Sequence, residues 1–276
     1  MSEAAKEMDA ELGAEAEPLD ESRMPLLDHL IELRKRLLWC FVAFAIAFGV
    51  AFYFARPIFA ILVQPLLEAG QGRIIYTKIF EAFFVEIKVA FFAALMVSFP
   101  VFATQIWRFV APGLYQKEQK AFLPFLLMTP VLFTLGACMA YFVAMPVALK
   151  FLLGFSGDVG GVNQEALPGV ENYLSFVTTF IFGFGISFLM PLLLILLEKA
   201  SIVSLEQLRA GRRYAIVGAF VLAAILTPPD VVSQLLLAIP LCLLYEAALI
   251  FIRITRRKKA ELETDPQTSA ELESSD

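Results

Sequence analysis

Residues 214–252 read YAIVGAFVLAAILTPPDVVSQLLLAIPLCLLYEAALIFI, with Asp230 and Glu246 as the only charges. Thr227-Pro228-Pro229-Asp230 is a turn signal between two apolar runs. Runs this apolar read as membrane spans joined in a hairpin. The first, Tyr214–Thr227, has only 14 residues. At about 1.5 Å per residue it reaches about 21 Å, against a hydrocarbon core of about 30 Å. The second, Val231–Ile252, contains Gln234, Pro240 and Glu246, so its strictly apolar part is short as well. Two adjacent short helices predict a locally thinned membrane or a protected, watered groove.

Four more apolar runs precede this hairpin. Leu37–Ala55 has 19 residues without a charge and closes at Arg56-Pro57. Val89–Trp107 lies between Lys88 and Arg108, and Phe122–Leu149 carries Pro130 and Pro146 as expected kinks. Tyr173–Leu197 completes the set. The sequence therefore predicts an all-α, polytopic membrane protein with six transmembrane helices at 37–55, 89–107, 122–149, 173–197, 214–227 and 231–252. Residues 58–88 are too charged to span. With breaks at Pro65 and Gly70-Gln71-Gly72 they are expected to form a structured outer loop with interfacial helices. Residues 150–171, Gly-rich and polar, form a second outer loop. The absence of a clear internal repeat weighs against an inverted-repeat transporter.

Of the 27 acidic residues, 10 lie in positions 1–32 and 6 in 261–276, so the net charge of −5 belongs to the ends and says little about partners. Residues 1–22 are Glu/Ala-rich and residues 256–276 are charged. Both are expected to be disordered tails flanking a membrane domain at 23–255. The acidic beginning suits neither a secretory signal nor an Arg-rich transit peptide. Residues 24–36, MPLLDHLIELRKR, align Leu26, Leu27, Leu30 and Leu33 with Leu37 as an amphipathic approach to the first span. With the N-terminus inside, inner segments hold 17 of the 22 lysines and arginines. That bias predicts both termini in the cytoplasm.

Several chemistries find no footing. Gly154-Phe155-Ser156-Gly157 matches the GxSG of intramembrane serine proteases, but Ser156 falls in an outer loop and the only histidine, His29, at the opposite face. One histidine and the scattered Cys40, Cys138 and Cys242 exclude an ordinary zinc site, and the thiols suit packing. No phosphate-binding Gly loop occurs, nor a basic patch with interleaved aromatics for nucleic acid. The reading is of a protein that is not an enzyme and uses no cofactor.

The remaining polar groups gather at the inner face. Glu32 lies beside Arg34, Lys35 and Arg36, and Glu118 lies in the first inner loop, 108–121. Alone, each is an ordinary solvated charge. Together, near Phe109 and Tyr115, they suit a cationic peptide, each carboxylate taking a guanidinium bidentately. Spacing leaves open whether they meet. Gln105 either bonds across helices or lines the same site. Glu246, two turns from Arg253, is an intramembrane functional group or a packing and snorkelling one. Asp230 suits the cap of the last helix.

HLIELRKRLL at 29–38, VFATQIWRFVAPGLYQKE at 101–118, YLSFV at 173–177 and VGAFVLAAILTPPDVVSQLLLAIPLCLLYE at 217–246 together resemble the C subunit of the twin-arginine protein translocase. The resemblance runs from about Pro25 to Arg253. It implies a concave, glove-like bundle of six helices in the bacterial cytoplasmic membrane. It also implies a receptor for signal peptides with two consecutive arginines, working with single-span TatA-type and TatB-type partners and the proton-motive force. It assigns the arginine pair to Glu32 and Glu118, with Leu33, Arg34, Gln105, Phe109 and Tyr115 in recognition or supporting positions. Pro65, Asp230 and Gln234 match outer-side positions of the family pattern. Self-association in a larger complex is expected, as is contact with membrane lipid.

One departure is visible. Many members carry a glutamate two residues before the proline of an SFxxP pattern in the fourth span; here Ser187-Phe188-Leu189-Met190-Pro191 puts Leu189 there. The competing reading is a small-solute secondary transporter, which needs a polar site near mid-membrane. Only Gln105, Gln234 and Glu246 are offered for it.

Overall fold

A chain segment in hydrocarbon must close its backbone hydrogen bonds within itself, and the apolar runs do so as helices. The structure, a computed structural model, describes residues 18–110, 119–200 and 202–263. Its helices are α1 (Pro18–Tyr53), α2 (Ala55–Glu68), α3 (Glu81–Val110), α4 (Gln119–Met139), α5 (Met145–Leu153), α6 (Val170–Ser187), α7 (Met190–Lys199), α8 (Leu205–Ala210), α9 (Arg212–Leu226) and α10 (Val231–Glu263). Among the described residues the one sheet is an antiparallel hairpin, β1 (Gly157–Val159) and β2 (Val162–Gln164), turned at Gly160 and Gly161 with φ of 65° and 89°. The fold is otherwise all-α. The end holding the finish of α10 is called inner here, after the lysine and arginine bias.

Five stretches are long and apolar enough to cross a membrane: Leu30–Tyr53, Glu81–Phe109, Phe125–Leu153, Val170–Lys199 and Val231–Arg257. The sixth, α9, has 15 residues, or about 22 Å at 1.5 Å each. Only one of the two adjacent helices is therefore short. Val231–Glu263 is a single helix of 33 residues, because Gln234 and Glu246 find partners and leave the backbone ladder intact. The tails also differ from expectation. Residues 18–22 belong to α1, opened by a proline suited to the first helical position. Residues 256–263 prolong α10, through good helix formers such as Arg, Lys, Ala and Glu. The remainder of both tails lies outside the described residues.

Packing relies on small residues where helices cross. Ala47 and Ala51 of α1 meet Ala90 and Ala94 of α3, and the last two are fully buried. Small residues four apart let two backbones approach. Toward the inner end Phe44 fills the same seam against Phe91 and Phe102. Where α4 crosses α6, a Cβ on Gly136 would stand 2.6 Å from the Phe184 carbonyl oxygen. A Cβ on Gly185 would stand 2.6 Å from the Phe133 ring. Phe133 stacks on Phe99 of α3 at 3.6 Å and meets Phe182 edge-on, so three helices share one ring.

Three long segments are interrupted. α1 gives way to α2 at Phe54. α4 runs past Pro130 without a break, and the break comes at a π-helical turn, Ala140–Ala144, just before Pro146. A proline ring crowds the turn preceding it, and a wider turn relieves that. α6 ends at Ser187 and α7 restarts with Pro191 in its first turn.

The outer end is a clasp. α2 contains Pro65, which has no N–H for the carbonyl of Ile61. Tyr141, on the π turn, donates its hydroxyl to that oxygen at 2.7 Å, and Tyr173 of α6 donates to the neighbouring Leu62 oxygen at 2.8 Å. Glu81 is buried and accepts from Thr77 N–H, Lys78 N–H, the Thr77 hydroxyl and Glu171 N–H at 2.6–3.0 Å. One carboxylate thus starts α3 and holds the first turn of α6. Ile75 and Gly169 form a bridge beside it.

Gly185→Ala should cost about 1–3 kcal/mol through overpacking against Phe133. Gly218→Ala, which meets nothing within 4 Å, should be neutral or stabilise by up to about 1 kcal/mol. Thermal melts in detergent distinguish the two. Tyr141→Phe should cost about 0.5–1.5 kcal/mol in the natural chain and much less in a Pro65→Ala background, where residue 65 regains its own donor to Ile61. Additive losses in that cycle would dismiss the proline-rescue account.

Candidate functional site

On α1, residues 32, 35, 36 and 39 recur at helical spacing and share one face. That face and α3 enclose an inner cleft of about 580 Å³, lined by Ile31, Glu32, Lys35, Arg36, Trp39, Gln105 and Arg108. Glu32 and Arg36 form an ion pair one turn apart. The Arg36 Nη1 also donates to the backbone oxygen of Gln105 at 3.5 Å. Arg36 is the more sheltered partner, its side chain 18% exposed against 38% for Glu32. Its Nε is buried with no hydrogen-bond partner among the described residues. A guanidinium is therefore already held between a carboxylate and a carbonyl, with a donor to spare. An exposed pair at this spacing contributes about 0.3–0.5 kcal/mol, and this partly sheltered one, with its further bond to Gln105 O, is harder to break than that.

Gln105 lines this cleft, and the half-buried Phe109 lies one turn further toward the inner end of α3. Leu33 and Arg34 are exposed on α1 away from the cleft wall. Tyr115 and Glu118 lie outside the described residues, in the connection between α3 and α4. The two ends of that connection are tied together. Trp107 donates its indole N–H to the Thr129 hydroxyl at 2.8 Å, and that hydroxyl donates to Phe125 O at 2.8 Å.

The other candidates sit elsewhere. Pro65 is buried in the outer clasp. Asp230 caps α10, its Oδ1 accepting from Ser233 N–H at 2.7 Å, while Oδ2 is buried and without a partner among the described residues. Gln234 donates to the Phe220 oxygen at 3.2 Å and so links α10 to α9. Glu246 pairs with Arg212 at 3.0 Å rather than with Arg253, fixing the inner start of α9 against α10. Leu189 is half-buried at the α6–α7 break. Sequence reasoning overlooked Arg36 as a cleft residue, though its spacing from Glu32 was available. It also overlooked Glu81, Tyr141 and Tyr173, whose partners are 80 or more residues away for all but the local bonds of Glu81.

A second groove lies in the membrane layer between α3, α6 and α9, with a volume of about 710 Å³ and mostly apolar walls.

Comparison with known proteins bears on the family and the fold. The family model described as "Sec-independent protein translocase protein (TatC)" matches residues 28–240. The chain is 49% identical to the TatC protein of Magnetococcus marinus, over 88% of this chain and 89% of that one. It is 44% identical to that of Aquifex aeolicus, over 87% and 99%, and 42% identical to that of Escherichia coli, over 84% and 90%. A crystal structure of the twin-arginine translocase receptor TatC superposes with a TM-score of 0.71 at 44% identity, covering 82% of this chain and 98% of that one. These relatives are protein translocase proteins, which leaves the small-solute reading without support. With a family match across the membrane domain and the same glove-like bundle in a solved relative, the chain belongs to the TatC family of Sec-independent protein translocases.

Proposed function

We propose that this chain is the signal-peptide receptor of a twin-arginine translocation system, and that the inner cleft receives one arginine of the pair. The observation that carries the reading is Arg36, a guanidinium of the chain's own seated between Glu32 and the Gln105 carbonyl. An incoming arginine displaces Arg36 from Glu32. The second arginine goes to Glu118, with Phe109 and Tyr115 beside it and Leu33 and Arg34 along the approach. Lysine is a poor substitute, because it lacks the planar fork that meets a carboxylate bidentately. The work is binding and gating, with no covalent chemistry.

In this reading the chain sits in the bacterial cytoplasmic membrane with both termini in the cytoplasm. TatA-type and TatB-type single-span proteins assemble with it, several copies associate, and the proton-motive force drives the passage of folded precursors. The lysine and arginine bias of the loops and the family membership support that placement.

Photo-crosslinkers at positions 32 and 118 should capture a signal peptide bearing Arg-Arg about tenfold more than one bearing Lys-Lys, a difference of about 1.4 kcal/mol. Equal capture would sink the receptor reading. The exchange mechanism makes a sharper demand on Arg36. Arg36→Gln removes the internal competitor and should tighten peptide binding by at least about twofold, the lower bound set by an exposed ion pair. A purely structural Arg36 would instead weaken binding when removed.

A further inference from the structure

One wall of the inner cleft is the end of α3, and that end follows a proline. Pro100 stands inside α3 and has no N–H for the carbonyl of Met96. Thr104, one turn on, turns its hydroxyl back to Pro100 O at 2.7 Å, a bond that often bends a helix. The backbone ladder of α3 is therefore weakest around Pro100. The segment beyond it supplies Gln105 and Arg108 to the cleft. Where those two side chains stand relative to α1 has to be fixed from outside α3.

Two contacts with α4 do this, one on each side of the proline. Before it, Phe99 stacks on Phe133 at 3.6 Å. After it, Trp107 donates its indole N–H to the Thr129 hydroxyl at 2.8 Å, and its ring lies 6.2 Å from that of Phe125. Thr129 and Phe133 are one turn apart, so a single face of α4 carries both. Thr129 is buried. Its one donor goes to Phe125 O at 2.8 Å, which fixes the direction of the lone pair offered to Trp107. The anchor is itself held, because the Lys199 ammonium of α7 lies 5.6 Å over the Phe125 ring.

The bond pulls in a definite direction. Gln105 and Arg108 are three apart and share the face toward α1. At about 100° per residue, Trp107 points about 100° away from Arg108 and about 160° away from Gln105. The bond to Thr129 therefore draws α3 toward α4 and away from α1. We propose that Trp107 and Thr129 are positioning residues for the inner cleft: their hydrogen bond splints α3 across Pro100 and keeps Gln105 and Arg108 at the separation from α1 that leaves the cleft open. Neither side chain lines the cleft. Without the bond, the end of α3 leans onto α1, where Ile31 and Trp39 offer exposed apolar surface, and the cleft narrows. The effect on peptide binding rests on the signal-peptide reading; the position of α3 does not.

The test reads that position first, with no peptide present. Spin labels on Leu38→Cys of α1 and Ile106→Cys of α3, both exposed positions, report the separation of the two helices by pulsed electron paramagnetic resonance. The full chain is used, with Cys40, Cys138 and Cys242 replaced by alanine. Thr129→Val keeps the shape of the side chain and Trp107→Phe keeps a ring, and each should shift the distance distribution to shorter values. Thr129→Ser should restore the natural distance. Photo-capture of an Arg-Arg signal peptide from position 32 should fall about two- to tenfold in either variant, the worth of one hydrogen bond. It should fall no further in the double variant, since both changes remove the same bond. Gly185→Ala, which crowds the α4–α6 crossing, should leave distance and capture unchanged, so a general loss of stability is told apart. An unchanged distance in Thr129→Val and Trp107→Phe overturns the proposal, as do additive losses in the double variant or an equal loss in Gly185→Ala. A shortened distance in a chain that captures no Arg-Arg peptide even in its natural form would defeat the receptor reading and support the positioning role alone.

Discussion

The structure depends on one constraint: a backbone carbonyl inside a bilayer has no water to turn to. The chain nevertheless puts prolines inside its membrane helices, and in α2 at their outer end, and each removes a donor. At Pro65 the orphan is Ile61 O, and the donor comes from Tyr141, 80 residues away. Tyr141 itself lies on the π turn that precedes Pro146. One proline thus widens the turn carrying the hydroxyl that repairs the loss at another. The two interruptions belong together, and they fasten α2 across the outer end of the bundle.

That repair accounts for part of what the sequence conceals. Six apolar runs, their order and the shortness of α9 follow from counting uncharged residues, because hydrocarbon thickness is fixed. Asp230 as a cap was also legible, since a carboxylate after a proline pair and before an apolar run has few other uses. The α10 length was not. Gln234 and Glu246 looked like interruptions, yet Phe220 O and Arg212 take them up from α9, and a satisfied polar group does not end a helix. Glu81 was unreadable for the same reason. Its acceptor capacity goes partly to Glu171 N–H, 90 residues on, and no local pattern announces such a partner.

The inner cleft was half legible. Helical spacing places Glu32 and Arg36 together, and the apolar setting of Gln105 marks it as unusual. What the spacing lacks is the separation between α1 and α3. Along the outer and middle parts of that seam alanines let the helices touch. Toward the inner end the facing residues become Arg36, Trp39 and Gln105, too large and polar to interdigitate, and a cavity remains. The cleft is therefore a consequence of where the small residues stop.

The two ends of the bundle consequently differ in how firmly they are held. The outer clasp joins α2, α3 and α6 through a buried carboxylate with four donors and two tyrosine hydroxyls. Breaking it leaves several polar groups unpaired at once, and each unmade bond in a buried setting costs about 1–3 kcal/mol. At the inner cleft the contacts described for Arg36 are the ion pair with Glu32 and the long hydrogen bond to Gln105 O, fewer than the clasp provides. In the proposed reading a ligand arriving from the inner side meets the less firmly held part of the structure, while the outer clasp joins α2, α3 and α6. On that proposal the contact that exchanges lies on the side where the lysine and arginine bias predicts the cytoplasm.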